Sequence, residues 1–189
     1  MKQLRKQEEM SIERSAREKQ ESKEQHTSLF GEILYLLRKV LVIGGLLVLC
    51  GTFLFGAARN TDLGMAPVVK SGDLVFYFRL DQQYAASDVA AVRIGDSFQT
   101  RRVIAVGGDT VDLTAEGLLV NGYLQQETDI VGETLPYTDG ITFPVVLEED
   151  QIFLLGDNRE HAADSRLYGA VEVKDTLGKV VLLLRRRNI

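Results

Sequence analysis

Two apolar patterns divide the chain. Between Val40 and Ala58 lie 19 residues without a charge, VLVIGGLLVLCGTFLFGAA. As a helix that run reaches roughly 28 Å, the scale of a ~30 Å hydrocarbon core. Beyond it the apolar residues come in short runs: Leu74 to Leu80, Asp88 to Ile94, Arg101 to Val106, Leu118 to Gly122, Phe143 to Leu147, Gln151 to Gly156 and Gly178 to Arg185. These are rich in Val, Ile, Leu and aromatics and are punctuated by Gly, Asp or Asn, so they read as strands. No stretch after Ala58 has ten residues of capped helical periodicity, which argues against alternating βα units. The expected fold is mainly β, an antiparallel sheet domain after one N-terminal transmembrane helix.

Charge orients this picture. Arg38 and Lys39 precede the apolar run, Arg59 follows it, and seven more Lys or Arg lie upstream. The bias of basic residues toward the cytoplasmic side places the N-terminus inside and everything after Arg59 outside a plasma membrane crossed once. A cleaved leader competes with this reading, because Gly56 and Ala58 are small residues at a spacing a signal peptidase accepts. The 19-residue run and its 39-residue charged lead both exceed the usual leader dimensions and favour a retained anchor. The chain is then a charged tail over 1–32, an anchor over 33–58 and an external domain over 59–189.

Net charge is −5 overall, and the part after Ala58 carries 13 basic against 20 acidic side chains, a net −7. That excludes a nucleic-acid binder on electrostatic grounds. Cys50, the one cysteine, lies inside the apolar run, so no disulfide is available outside. The tail, with alternating charge and few apolar side chains, reads as a solvated helix or as disordered. No cofactor or metal site is expected.

Three boxes follow one another beyond the anchor: GMAPVVKSGDLV (Gly64 to Val75), RRVIAVGGDTV (Arg101 to Val111) and GDNREHAADSRLYG (Gly156 to Gly169). Together they resemble the motifs of type I signal peptidases, the third most specifically, and VNGYLQQE (Val120 to Glu127) is similar to a hairpin of that family. The resemblance covers nearly everything from residue 35 onward. It implies a membrane-tethered β domain of the S26 peptidase fold, with a small cap region at about 110–148, acting on the leader peptides of exported proteins. In that family a serine attacks the amide, a neutral lysine acts as general base, and a further serine orients the lysine.

At those three positions this chain has Gly64, Arg101 and Ala162. Glycine offers no attacking oxygen. A guanidinium, with a pKa above about 12, does not give up a proton near neutrality. Alanine cannot hydrogen-bond a base. The resulting expectation is an inactive homologue of the Gram-positive form, not an enzyme. It would bind extended segments of exported proteins in a groove of Leu63, Gly64, Met65, Phe98 and Thr100 and assist surface assembly, with pilin subunits and a sortase as partners. The scaffold residues Arg102, Asp164 and Arg166 are expected as an ion network. The competing reading is an active leader peptidase with a displaced nucleophile, for which Ser71 and Ser165 are the hydroxyls and His161 and Asp62 the bases.

Overall fold

The structure is a computed structural model that describes Arg14, residues 31–128 and residues 130–185. Apart from Arg14, the expectations for the tail before residue 31 lie outside the described residues, as does most of the terminal basic triplet. Helix α1, Gly31–Leu54, has 24 residues and is long and apolar enough to cross a membrane. Its length is about 36 Å at 1.5 Å per residue. Leucines, valines and isoleucines along it are exposed. The helix up to Gly51 and the part from Thr52 onward form separate units.

The apolar run does not stay helical to its end. Strand β1, Phe55–Arg59, takes over at the residue after α1, so Phe55 to Ala58, expected in the anchor, belong to the sheet. A Cβ at Gly56 would lie 2.2 Å from ring atoms of Tyr77, so only glycine lets that ring cross the strand.

Among the described residues, eleven strands make two sheets. In the larger, the order is β1, β2 (Leu74–Phe78), β11 (Thr176–Leu184), β3 (Val89–Ile94), β4 (Ser97–Val106), β9 (Gln151–Leu155) and β10 (Val171–Glu172). The smaller runs β7 (Tyr123–Leu124), β6 (Gly117–Val120), β5 (Thr110–Thr114), β8 (Val145–Val146). Every named pair is antiparallel, as expected for a mainly β domain. The smaller sheet falls within residues 110–146, inside the segment read as a cap. Asn121 and Gly122, both at positive φ, close the β6–β7 hairpin in the way an Asn-Gly turn favours. Near the start of β11 the register shifts around Gly178, whose Cβ would fall 2.1 Å from the Phe78 carbonyl oxygen. Glycine lets two backbones approach there.

Alternation along the strands sends one set of side chains inward. Ala90, Val92, Val103, Ile152 and Leu154 form one buried cluster. Ala105, Val111, Leu118, Leu147, Phe153 and Leu155 form a second that includes residues of both sheets. The third is small, Met65, Val69 and Val75, with Phe98 packed against it, and it supports the loop that carries Gly64.

Candidate functional site

The loop from Asn60 to Asp73 is pinned by two side chains. Asn60, fully buried, donates from Nδ2 to the carbonyls of Asp62 (2.7 Å) and Lys70 (3.2 Å). Its backbone pairs with Asp73 and Gly72, and the Asp73 carboxylate accepts from Lys70 N–H at 2.9 Å. Within this frame Val69 N–H reaches the Met65 carbonyl (2.8 Å), and the Gly64 carbonyl accepts from Asn158 N–H (2.9 Å). The first and third boxes therefore meet at Gly64.

β4 brings the second box to the same place. Arg101 lies opposite Ala90 in the β3–β4 ladder and is fully buried. Its Nε donates to the Ala163 carbonyl (2.9 Å) and its Nη1 to the Thr100 carbonyl (2.6 Å) and to the Asp62 carboxylate. A Cβ added at Gly64 would sit 2.9 Å from Cζ and Nη1 of Arg101 and 3.0 Å from Nη2. The guanidinium thus occupies the space into which a side chain at 64 would project. Ala162 closes the third side: a Cβ at Gly156 would lie 2.2 Å from the Ala162 methyl and 2.4 Å from the Gly64 carbonyl oxygen. Positions 64, 101 and 162 converge in space.

Several polar atoms of β4 and the third box are buried without a hydrogen-bond partner among the described residues: Arg101 Nη2, Thr100 Oγ1, Gln99 Oε1 and Tyr168 Oη. Burial pushes the Tyr168 phenol well above its ordinary range, against the opposing pull of the Arg101 charge, so it remains a protonated donor.

Two of the ion pairs expected in the network are seen in detail. Arg102 grips Asp157, with Nε to Oδ1 at 2.7 Å and Nη2 to Oδ2 at 2.6 Å. Asp164 pairs with Arg166, two residues on and equally enclosed, through Nε (2.9 Å) and Nη2 (2.9 Å), and caps the four-residue helix α2, Ser165–Tyr168. A third cation, Arg159, was not among the expected site residues. It is buried, pairs with Glu127 and donates to the Gly156 carbonyl (2.9 Å), tying the segment after β7 to the third box. Burial lowers its pKa, with Glu127 opposing. Arg102, Asp157 and Arg159 line a cavity of about 480 Å³ with Pro67, Val68 and Gln126.

The groove side chains are arranged differently from expectation. Leu63 is 54% exposed, but Met65 and Thr100 are fully enclosed and Phe98 packs on the Met65 cluster. Met65 and Thr100 thus present no surface to solvent, unlike Leu63. Ser165 is enclosed and its Oγ accepts from Leu154 N–H (3.0 Å), whereas Ser71 is exposed, with Oγ 3.5 Å from the Thr61 carbonyl oxygen. His161 reaches only Asn158 Oδ1, at 3.2 Å on the surface. Among the described residues, no group of three or more His, Cys, Asp or Glu side chains converges as a metal site.

Comparison with known proteins now adds a name to this geometry. The family model described as signal peptidase, peptidase S26, matches residues 33–184. A Signal peptidase I of Mycobacterium tuberculosis is 33% identical over 121 residues, which are 54% of this chain and 41% of that protein. Signal peptidase I P of Bacillus subtilis subsp. natto is 25% identical over 159 residues, 77% of this chain and 85% of that one. A solved signal peptidase I from Enterococcus faecalis V583 overlays with a TM-score of 0.43 at 23% identity, covering 52% of this chain and 97% of the other. The chain thus spans less than half the length of the mycobacterial relative.

These comparisons correct the expectation of a non-enzyme. The relatives carry the name of a peptidase, and no feature of the structure establishes inactivity. The replacements at 64, 101 and 162 take a hydroxyl, a deprotonatable base and an orienting hydroxyl from those three positions, and say nothing of groups elsewhere.

Proposed function

The chain belongs to the signal peptidase family, and from that premise we propose that it is anchored once in the plasma membrane and acts on leader segments of exported proteins at the outer face. The segment lies extended beside Thr61 to Met65 and Ser97 to Arg101. Hydrolysis draws its attacking oxygen from outside position 64. The observation that carries this reading is the edge of β4. From Ser97 to Arg101 the strand is paired with β3 on one side only, because β9 joins the other side from Arg102 onward, and its solvent-accessible part is Ser97 and Phe98, since Thr100 and Arg101 are fully enclosed until the loop before Gly64 moves. An unpaired edge next to a non-strand loop accepts an extended chain through main-chain hydrogen bonds, with little demand on side chains. The excess of basic residues on the N-terminal side of the apolar run, Arg38 and Lys39 included, supports an N-terminus on the cytoplasmic side.

Ser71 is the hydroxyl to address first, since it is exposed and borders the Thr61 end of this segment. The test uses full chain in liposomes, a leader-bearing precursor, and mass spectrometry of the products. Shortening of the precursor by a leader's length is expected, and Ser71→Ala is expected to abolish it. No shortening by the unaltered chain, under conditions where a Gly64→Ser, Arg101→Lys, Ala162→Ser variant cleaves, contradicts the hydrolytic part. The client class proposed is the leader-bearing exported protein at large; pilins and a sortase gain no separate support.

A further inference from the structure

Arg101 is bonded in a lopsided way. Of its three nitrogens, Nε is taken by a main-chain carbonyl, Nη1 by another carbonyl and by Asp62, and Nη2 has no partner among the described residues despite full burial. Leaving a charged donor unpaired away from water is expensive, more so than the gain from an average hydrogen bond. Tyr168 Oη and Thr100 Oγ1 are buried without partners as well, and the charges of Arg101 and Asp62 are both felt at the Tyr168 phenol. Of these atoms only Arg101 Nη2 is a cationic donor, so it is the one whose missing partner is best supplied by an anion. Asp62 meets only Nη1, although a carboxylate suits a guanidinium best when each oxygen takes a separate N–H.

We propose that Arg101 is a carboxylate receptor and that Asp62 is its resident occupant, displaced when a ligand carboxylate arrives. Charge decides between adding a second anion and exchanging the first. Two carboxylates on one buried guanidinium leave an unpaired negative charge, whereas an exchange keeps the site neutral. Asp62 is the partner able to leave: it is 21% exposed, while Arg101 is fully enclosed. Once Asp62 turns to solvent, an incoming carboxylate engages Nη1 and Nη2 together and satisfies the donor that Asp62 leaves orphaned. Gly64 leaves the space beside the guanidinium free of a side chain, since a Cβ there would lie 2.9 to 3.0 Å from its atoms. The external part carries net −7, so anions gain nothing from its overall field and any preference for them reports this one cation.

The carboxylate comes from the terminus of a peptide or from an acidic side chain within one. On the function proposed above, the terminus is the α-carboxylate that cleavage creates at the end of a leader, and the inference rests on that reading only for the peptide part of the ligand. Three peptides of one small-residue sequence separate the sources: free acid, C-terminal amide, and amide with a Glu in the last position. Binding is measured to full chain in nanodiscs at fixed ionic strength. For the wild type, the free acid is expected to bind about tenfold tighter than the amide, the worth of one charge-assisted pair. Equal affinity of all three peptides overturns the proposal. A preference shared by the Glu peptide assigns the site to any carboxylate, and its absence there assigns it to the terminus. Either result supports a receptor.

A second arm needs no peptide. Asp62→Ala empties the resident position, and formate is expected to raise the melting temperature of this variant well above the effect of equal chloride. In Asp62→Ala with Arg101→Met, the difference is expected to vanish. Formate and chloride acting alike contradict the receptor. If Asp62→Ala folds only in formate, the receptor is supported; if it folds in neither, the wild-type peptide comparison decides. Specific formate rescue with no peptide binding sinks the proposed function and leaves the receptor standing. Peptides bound with acid and amide equal do the reverse.

Discussion

Placing a methyl group at residue 64 perturbs the site in the smallest available way. In Gly64→Ala the new Cβ lies 2.9 to 3.0 Å from three atoms of the Arg101 guanidinium, closer than carbon atoms approach in packed proteins. A free side chain would swing aside at little cost. Arg101 is fully buried and held by the carbonyls of Ala163 and Thr100 and by Asp62, so yielding breaks hydrogen bonds or moves the loop. Overpacking of this kind costs about 1–3 kcal/mol. For an external domain between the usual small and medium sizes, that is a fall in melting temperature of about 3–15 °C. The assay is thermal unfolding of the full chain in detergent, followed by circular dichroism. Since the strain is shared between two residues, the damage should not add. In Arg101→Lys, which removes the planar group but has its own penalty for the unpaired Asp62, the added Gly64→Ala should cost at least about 1 kcal/mol less than in the wild type. A melting temperature unchanged by Gly64→Ala, or strict additivity of the two changes, refutes the claim that the guanidinium fills this space.

Three further changes probe the frame around it. Gly156→Ala drives a methyl to within 2.2 Å of the Ala162 side chain and 2.4 Å of the Gly64 carbonyl oxygen, so it should destabilise at least as much as Gly64→Ala in the same melting assay. Asn60→Ala removes both Nδ2 bonds across the first box, and a loss of about 1–3 kcal/mol is expected, with faster amide exchange at Gly72 and Asp73. Asp88 illustrates pH dependence. Burial works to raise its pKa, but the bond from Lys179 and the Ala85 N–H together hold it below the usual 3.8. The pair's contribution is therefore present above that value and lost as pH falls through the lowered one, while the Lys179 share, raised mainly by its bond to Asp88, is lost only above about 10.5. Asp88→Asn should flatten the acid limb of a pH–stability profile by about 0.2–1 kcal/mol and leave the shape near neutrality unchanged.

How much of this was legible in the sequence depended on what carried each feature. The apolar strands were readable because burial selects Val, Ile and Leu in short runs. The first half of β4, Ser97 to Thr100, was missed as a strand because its buried residues are Gln99 and Thr100, polar side chains that break the apolar pattern. β1 was hidden inside an unbroken apolar run, and nothing in FGAA distinguishes the end of a helix from a strand except Gly56, whose need comes from Tyr77 across the pair. Four residues of α2 are too few for a helical period to show. At the site, the motif boxes located positions 64, 101 and 162. The partners were invisible: Asp62 to Arg101 and Asp157 to Arg102 are pairings over 39 and 55 positions, fixed by the sheet register and not by local spacing. Arg159 stood in the third box in plain view, but only its burial against Glu127 marks it as a strut.

The central claim, that an exported leader lies as an added strand beside β4, is tested most directly by amide hydrogen exchange on the full chain in nanodiscs, with and without a saturating leader-bearing precursor. The account predicts slowed exchange confined to Ser97 to Arg101 and Thr61 to Met65, with the opposite edge of β4, already paired to β3, unaffected. Protection that falls elsewhere, or no protection at a precursor concentration that saturates binding, contradicts it.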